Sequence, residues 1–473
     1  MLQTFKNAWR TKDIRSKLIF TAIILLIYRI GTVIPVPFVD AHGYTGNFGG
    51  TILDQMNILS GGALATATLF ALGVQPYINA SIIIQLLAVA FPKLGELSKD
   101  EQGKKLMSMI TRMVTVGLAL VTAIGYYFML LRETLPGVSL SAIATKTTLS
   151  KWLCAIVIIA CYCAGASIIM WLGERINEKG IGNGISMILF ANIIAVLPST
   201  MYALLEYLVI PSFSTLNNLV WLRAIAAIVL ALGIIAVGVV MTVFVVWVTG
   251  SERRIPVQYA KKVVGRKMYG GQFSNLPIKL NMTGVMPVIF ASSIVSLVPT
   301  ILQLCGVSAG TDTFWEKLAK FLAPSGWFYP VTLFLLIIGF AYFYTQITFN
   351  PIEVANNLKK QGGAIPGIRQ GRPTSDYIRK VLNKITLVGA LFLGVIAIIP
   401  IIAAPHFLAP LINLILNLSE GLGAEYGSQY AASIAGQFTF GGTSLLIVVG
   451  VVLETFRELE AQLTMRNYKG FLN

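Results

Sequence analysis

Charge is scarce in this chain. Aspartate, glutamate, lysine and arginine make up 12% of its 473 residues, against a hydrophobic share of 56% and a mean hydropathy of +0.75. A soluble domain draws on roughly a quarter of its residues being charged, so these side chains cannot clothe a water-facing surface. Histidine is rarer still: His42 and His406 lie far apart in predicted external connections, so no histidine-based metal site can be assembled. Cys154, Cys161, Cys163 and Cys305 sit in or beside apolar runs, where a thiol serves as a small packing group. No G-x-x-x-x-G-K-[ST] phosphate loop occurs, and GIGNGIS at 180–186 reads as a helix C-cap followed by an N-cap, without the strand a dinucleotide site needs. Neither a buried Ser/His/Asp set nor a pair of intramembrane carboxylates is present. The chain is not expected to be an enzyme or to hold a cofactor or metal, and energy for its work has to come from elsewhere.

Long apolar runs are what the chain has in abundance. About 30 Å of hydrocarbon takes roughly 20 helical residues to cross. Runs of that length predict ten spans, at 18–38, 70–91, 110–131, 152–173, 185–207, 222–248, 282–303, 327–349, 384–404 and 437–456; the apolar stretches 52–67 and 407–418 are too short to cross. Lysine and arginine favour the cytoplasmic side. With the N-terminus inside, 29 of the 36 cations fall in cytoplasmic segments, so both termini are expected there, consistent with an even number of spans. The first apolar stretch has full span length and no small-residue cleavage site follows it, so it is expected to remain in the mature protein. Arg29, Arg112, Arg132, Arg223 and Glu206 fall near span ends, where snorkelling or interfacial solvation is expected to suffice. The mid-membrane polar set is neutral: Asn79, Ser81, Gln85, Asn192, Ser292, Ser293 and Gln346.

Glycine and proline interrupt two spans in particular. Gly61, Gly62, Gly73 and Pro76 precede or enter the second, and Gly284 and Pro287 the seventh, which predicts bends where the chain can hinge. Before the second span, Ile52, Met56, Leu59 and Ala63 recur at helical spacing among polar residues. This short amphipathic helix either lies on the outer membrane surface or folds back into a cavity between spans. The connections 249–280 and 350–383 are far longer than a helix–helix link requires and hold 13 cations, with Lys384 a fourteenth at the border, including those of LKKQGGAIPGIRQGRP at 358–373. Such loops suit an acidic docking partner.

Six long stretches together carry a family resemblance: MNILSGGAL (56–64), ALGVQPYINASIIIQLL (71–87), GERINEKGIGNGIS (173–186), LPIKLNMTGVMPVIFASS (276–293), NPIEVANNLKKQGGAIPGIRQG (350–371) and FGGTSLLIVV (440–449). From about residue 10 to 460 the chain resembles SecY, the family of central channel subunits of the bacterial Sec protein translocase. The resemblance implies an all-α polytopic membrane protein with ten transmembrane helices in two inverted, pseudo-symmetric five-helix halves around an hourglass pore. By that division, residues 1–17 are a cytoplasmic N-terminus, 18–207 the first half, 208–221 an external hinge connection, 222–456 the second half and 457–473 a cytoplasmic tail. It implies a pore ring of Val74, Ile78, Ile185, Leu189, Ile289 and Ile447, two of them departures from an all-isoleucine ring. The 52–67 helix resembles the family's plug, carried by Ile52, Met56, Leu59 and Ala63. A lateral gate is implied between the second and seventh spans, with Pro76, Asn79, Gln85, Pro287 and Ser292. Arg369 matches the tip of one basic loop, and Arg266 and Lys267 the tip of the other, where the family usually carries paired arginines.

Implied partners are the small subunits SecE and SecG, the motor ATPase SecA, the ribosome, signal peptides, nascent chains and the lipid bilayer. The implied setting is a bacterial plasma membrane, and the implied function a protein-conducting channel with lateral release of hydrophobic segments. The i, i+4 spacing of Val74/Ile78 and Ile185/Leu189 independently puts each pair on one helical face. A broken-helix secondary solute transporter would share the interrupted spans, but it requires ligands within the bilayer, and the neutral interior and large basic loops speak against it.

Overall fold

Each of the ten expected spans overlaps a helix. The computed structural model describes residues 2–41, 52–97, 100–132, 138–140, 148–204, 220–259, 262–264, 267–269, 273–304, 314–322, 326–417, 438 and 441–469. A short amphipathic α1 (Leu2–Arg10) leads into α2 (Lys12–Gly31). There follow α3 (Ile52–Ser60), α4 (Gln75–Ala90), α5 (Pro92–Leu97), α6 (Glu101–Leu131), α7 (Thr148–Lys179), α8 (Gly184–Leu204) and α9 (Val220–Gly250). The second part of the chain contributes α10 (Met286–Leu304), α11 (Phe314–Phe321), α12 (Phe328–Thr348), α13 (Pro351–Lys360), α14 (Arg372–Ala403), α15 (Ala409–Asn417) and α16 (Gly441–Lys469). Six helical stretches among the described residues are long and apolar enough to cross a membrane; α4 and α10 are apolar but shorter. The expected hinge connection 208–221 lies almost wholly outside the described residues.

The two short helices correct one expectation. Pro76 and Pro287 do not bend spans from within; each is the second residue of its helix. Proline is tolerated there because a first-turn N–H has no helical partner to lose. The preceding glycines, Gly73 at φ +56° and Gly284 at φ +65°, turn the chain into the helix through a conformation that disfavours any side chain. Prolines within helices are elsewhere: Pro198 in α8, Pro299 in α10 and Pro400 in α14.

Contacts sort the helices into two neighbourhoods. α4 packs on α6, α6 on α7, and α7 on both α2 and α8; separately, α10 packs on α12, α12 on α14, and α14 on α16, which also meets α9. The neighbourhoods touch along two seams, one where α4 and α6 meet α10 and one where α8 meets α16. Outward faces are apolar, as with Val229, Leu232, Val240 and Trp247 on α9, whereas Asn192, Ser292 and Ser293 are buried. Apolar outside and polar inside is the arrangement lipid selects.

The long basic connections are folded. Apart from the antiparallel pair β1 (Val39–Ala41) and β2 (Val138–Leu140), the strands lie here: β3 (Glu252–Tyr259), β4 (Lys262–Val264), β5 (Lys267–Tyr269) and β6 (Phe273–Lys279) belong to the first connection, and β7 (Gly363–Ala364) to the second. A three-stranded antiparallel sheet of order β6-β3-β7 joins the two connections directly. Ile255 and Val257 alternate inward from β3 and bury against Ile278, Leu358, Ile378 and Leu382. The helix of the ninth span begins at Arg372, twelve residues before the expected 384, and contributes Ile378, Leu382 and Ile385 to this small core.

Candidate functional site

Five of the six expected ring residues, Val74, Ile78, Leu189, Ile289 and Ile447, are buried in one apolar cluster, with Ile185 half-buried against it. Four elements bring them together. Val74 and Ile78 flank the start of α4; Ile185 and Leu189 occupy the first two turns of α8; Ile289 sits one turn into α10 and Ile447 two turns into α16. The start of α8 is set by Asn183, whose Oδ1 accepts from the backbone N–H groups of Ile185 (3.2 Å) and Ser186 (3.4 Å).

A cavity of about 220 Å³ lies against this cluster. Ile78, Ile185, Leu189 and Ile289 supply apolar wall, and Ser81, Gln85, Asn177, Asn183 and Ser186 supply polar wall. Its volume suffices for several water molecules, each with hydrogen-bonding partners on the wall. At the α4–α10 seam, Tyr344 of α12 donates to Gln85 Oε1, while Gln85 Nε2 donates to Ser81 Oγ at 3.0 Å. Phe290 of α10 packs its ring on Tyr344, with centroids 5.2 Å apart. Of the residues expected at a lateral opening, Gln85 bridges elements, whereas Ser292 spends its hydroxyl on the carbonyl of Ile289 (2.9 Å). Asn79 Oδ1 is buried with no hydrogen-bond partner. Pro76 and Pro287 stand at the helix starts.

The short helix α3 does not lie on an outer surface. Leu53, Asp54, Gln55, Asn57 and Ser60 are buried, Met56 and Leu59 pack against the central cluster, and Ala63 is buried just beyond the helix. Ile52 is the first residue of α3. α3 touches both α8 and α10, so it sits between the two neighbourhoods. Asn192 Nδ2 donates to the carbonyl of Leu59 at 2.7 Å and to the hydroxyl of Tyr28 at 2.8 Å. Arg29 donates to the carbonyl of Gly61 at 3.1 Å, and Tyr329 of α12 donates to Gln55 Oε1 at 3.1 Å.

The chain then runs from Gly61 to Val74 through turns that are largely buried among apolar helices. Irregular backbone survives there only when protein satisfies it. Asn57 Oδ1 accepts from Ala65 N (3.0 Å), Ser60 Oγ from Leu64 N (3.1 Å), and the carbonyls of Leu64 and Ala67 accept from Tyr126 (2.7 Å) and Tyr162 (3.3 Å).

Arg29 thus departs from the expected snorkelling position: its guanidinium turns inward because an uncapped carbonyl of the turn offers it a partner. Arg112 pairs with Glu174 at 2.8 Å, tying α6 to α7. Tyr28, Tyr329 and Tyr344 carry polar contacts that the sequence reading missed; the one signal for them is a hydroxyl within an otherwise apolar run.

On the folded basic connections, Arg369 is exposed in a turn between Gly367 (φ +80°) and Gly371 (φ +99°), and its carbonyl accepts from Thr374 Oγ1 at 2.8 Å. Lys267 begins β5, while Arg266 lies outside the described residues. At the base of the sheet, burial holds the Lys279 ammonium below the usual lysine range, Arg457 adds to this and Glu252 opposes it.

With that geometry in hand, likeness to known proteins is specific. The sequence model of the SecY family matches residues 68–456. Relatives named protein translocase subunit SecY are 41% identical in Streptomyces galbus and 40% identical in Mycobacterium tuberculosis, each match covering 100% of both chains. Among solved structures, one described as the structure of a protein conducting channel aligns at a TM-score of 0.59 and 18% identity, over 94% of this chain and 92% of the other. Sec61 in the canine ribosome–channel complex aligns at 0.56 over the same shares, also at 18% identity. At that identity these two likenesses speak to the fold alone.

Proposed function

The chain belongs to the SecY family of protein translocation channels, and from that premise we propose how its own residues do the work. An unfolded polypeptide carries one backbone donor and one acceptor per residue, and each left unpaired in hydrocarbon costs several kcal/mol. A water-holding passage between the two helix neighbourhoods removes that barrier. The observation that carries the reading is the juxtaposition of a part-polar cavity, an aliphatic cluster drawn from α4, α8, α10 and α16, and a buried α3. Val74, Ile78, Ile185, Leu189, Ile289 and Ile447 act as the collar, which an extended chain slides through without specific hydrogen bonds and which ions cross poorly for want of hydration. α3 is the plug, and its displacement opens the passage. The α4–α10 seam is the lateral gate, through which a segment apolar enough to prefer lipid leaves sideways.

In this reading the ten helices all span, in two inverted halves, with both termini in the cytoplasm of a bacterial plasma membrane. The two basic connections, with Arg266, Lys267 and Arg369, take the motor ATPase SecA or the ribosome. SecE and SecG are the small membrane partners. A canine relative assembled with a ribosome supports the ribosomal part. Lysine at 267 keeps the charge but offers no bidentate fork.

Reconstitution tests the whole. Vesicles holding this chain with SecE and SecG are expected to import an unfolded presecretory protein when SecA and ATP are added. Uptake of small solutes without polypeptide transport would refute the reading in favour of a solute transporter.

A further inference from the structure

A gate that parts at one seam needs another seam that holds, and the α8–α16 seam carries an unusual set of cross-links. The turn 180–183, between α7 and α8, is fastened to α16 by a backbone-to-carboxylate hydrogen bond: Gly182 N donates to Glu458 Oε2 at 2.9 Å. The other carboxylate oxygen accepts from Gln462 Nε2 at 3.1 Å, and Gln462 Oε1 in turn accepts from Lys17 Nζ of α2 at 3.3 Å. Ile181 N donates to Thr21 Oγ1 of α2 at 3.2 Å. Around these bonds Ala8, Ile14, Ile181 and Leu459 form a separate buried cluster. Gly182 has φ +82°, and a Cβ there would come within 3.0 Å of Thr455 Oγ1, so the turn lies flush on α16. One turn further, Thr455 Oγ1 meets Met187 Sδ at 3.5 Å. α16 is also anchored to the end of α9, since Arg457 donates to the carbonyl of Thr249 at 2.9 Å.

The position matters because both joined elements carry collar residues. Ile185 and Leu189 follow Gly182 by three and seven residues, and Ile447 precedes Glu458 on the same helix by eleven. Fixing the turn on α16 therefore fixes the register of one side of the collar against the other. We propose that Glu458 is a positioning residue that makes the α7–α8 turn and α16 into a cytoplasmic pivot, about which the two helix neighbourhoods swing when the α4–α10 seam opens. A hydrogen bond to an ionised acceptor suits this task, being about twice as strong as a neutral one and short-ranged enough to define a fixed point. This inference rests on the gate reading above and adds to it the seam that does not part.

Thiol bridging tests it, in a variant whose four native cysteines are replaced. Met187→Cys with Thr455→Cys, joined by a short bifunctional thiol reagent in vesicles with SecE and SecG, locks the pivot. Ser81→Cys with Phe290→Cys, on opposite walls of the cavity, locks the gate. The pivot bridge is expected to leave SecA-driven import within about twofold of the unbridged protein, while the gate bridge lowers it by about tenfold or more. Import lost equally with the pivot bridge would overturn the proposal; import unaffected by the gate bridge would instead remove the gate reading beneath it. In parallel, Glu458→Gln keeps a neutral acceptor for Gly182 N–H and is expected to raise the ion leak of idle vesicles by no more than about threefold, since a weaker neutral bond replaces the charge-assisted one. Glu458→Ala, at equal amounts of extracted folded protein, is expected to raise that leak by about tenfold, the factor matching loss of one charge-assisted hydrogen bond. Equal leaks from the two variants would count against Glu458 as the positioning group.

Discussion

Gly61 concentrates the constraints on α3 at a single atom. Its φ is +72°, and a Cβ built there would approach Asn192 Oδ1 to 2.7 Å and the Arg29 guanidinium to 2.8 Å. Gly62, at φ +90°, has open space around the same position. Gly61→Ala is therefore expected to combine backbone strain of about 1–2 kcal/mol with displacement of both holding groups, whereas Gly62→Ala incurs the strain alone. Ion leak through reconstituted vesicles should rise strongly for the first and modestly for the second; equal leaks would show that the holding groups contribute nothing. Asn192→Leu removes the donor to Leu59 and Tyr28 and strands a buried carbonyl, at a cost of about 1–3 kcal/mol, and should raise the leak as well. None of this was legible in the sequence. Asn192 was recognised as a polar residue in mid-membrane, but which of three elements it faces depends on how the chain returns through the Gly61–Val74 turns. Arg29 was placed at a solvated span end because spacing alone cannot reveal an uncapped carbonyl 32 residues away.

At the scale of elements, α4 and α10, the helices of the proposed gate, share a start. GVQP at 73–76 and GVMP at 284–287 each set a left-handed glycine, a buried valine and a proline in the first turn. Hydropathy located both spans because an apolar run of about twenty residues is unambiguous. It misplaced their beginnings because the residues of the turn are as apolar as the helix that follows. Tyr344, which bridges from α12 to Gln85, was invisible for the same reason that any single hydroxyl in an apolar run is. Tyr344→Phe removes one neutral hydrogen bond, worth about 1 kcal/mol, and should shift the gate toward opening by about fivefold. The measurement is import of presecretory proteins with progressively weaker signal sequences: the variant should accept weaker ones than the parent does. An unchanged threshold would mean that the bond is not a gate closure. On the basic loops, charge was legible but the sheet was not, since β3 alternates over only Ile255 and Val257 and β7 is two residues long. Charge reversal at Arg369 should abolish motor-driven import while the protein remains folded, because the turn around it is shaped by Gly367 and Gly371 rather than by the guanidinium. Normal import by that variant would defeat the docking role.

For the whole molecule, the distribution of charge and of apolar surface makes two statements. A net charge of +16, carried largely by the loops, implies that docking of an acidic partner weakens as salt rises, since screening over about 10 Å at 0.1 M falls within the reach of such contacts. The second concerns the proposed collar. Replacing Ile78, Ile289 and Ile447 together by serine should wet the constriction and raise ion flux without abolishing polypeptide import, as the backbone of a passing chain asks nothing of those side chains but room. Loss of import with no change in flux would place them in packing instead. The gathering of these residues was the most legible feature of the site, because i, i+4 pairs and whole motifs survive any error in helix boundaries.

The sheet that ties the two basic connections together has a mechanical corollary. β6 ends at Lys279 and α10 begins at Met286, so only six residues separate the three-stranded sheet from a helix of the proposed gate. A body seated on the sheet cannot rock it without tugging α10, while β3 passes the same motion to the end of α9 at Gly250. The proposed docking surface and the proposed gate would thus be geared to one another through a link of only six residues.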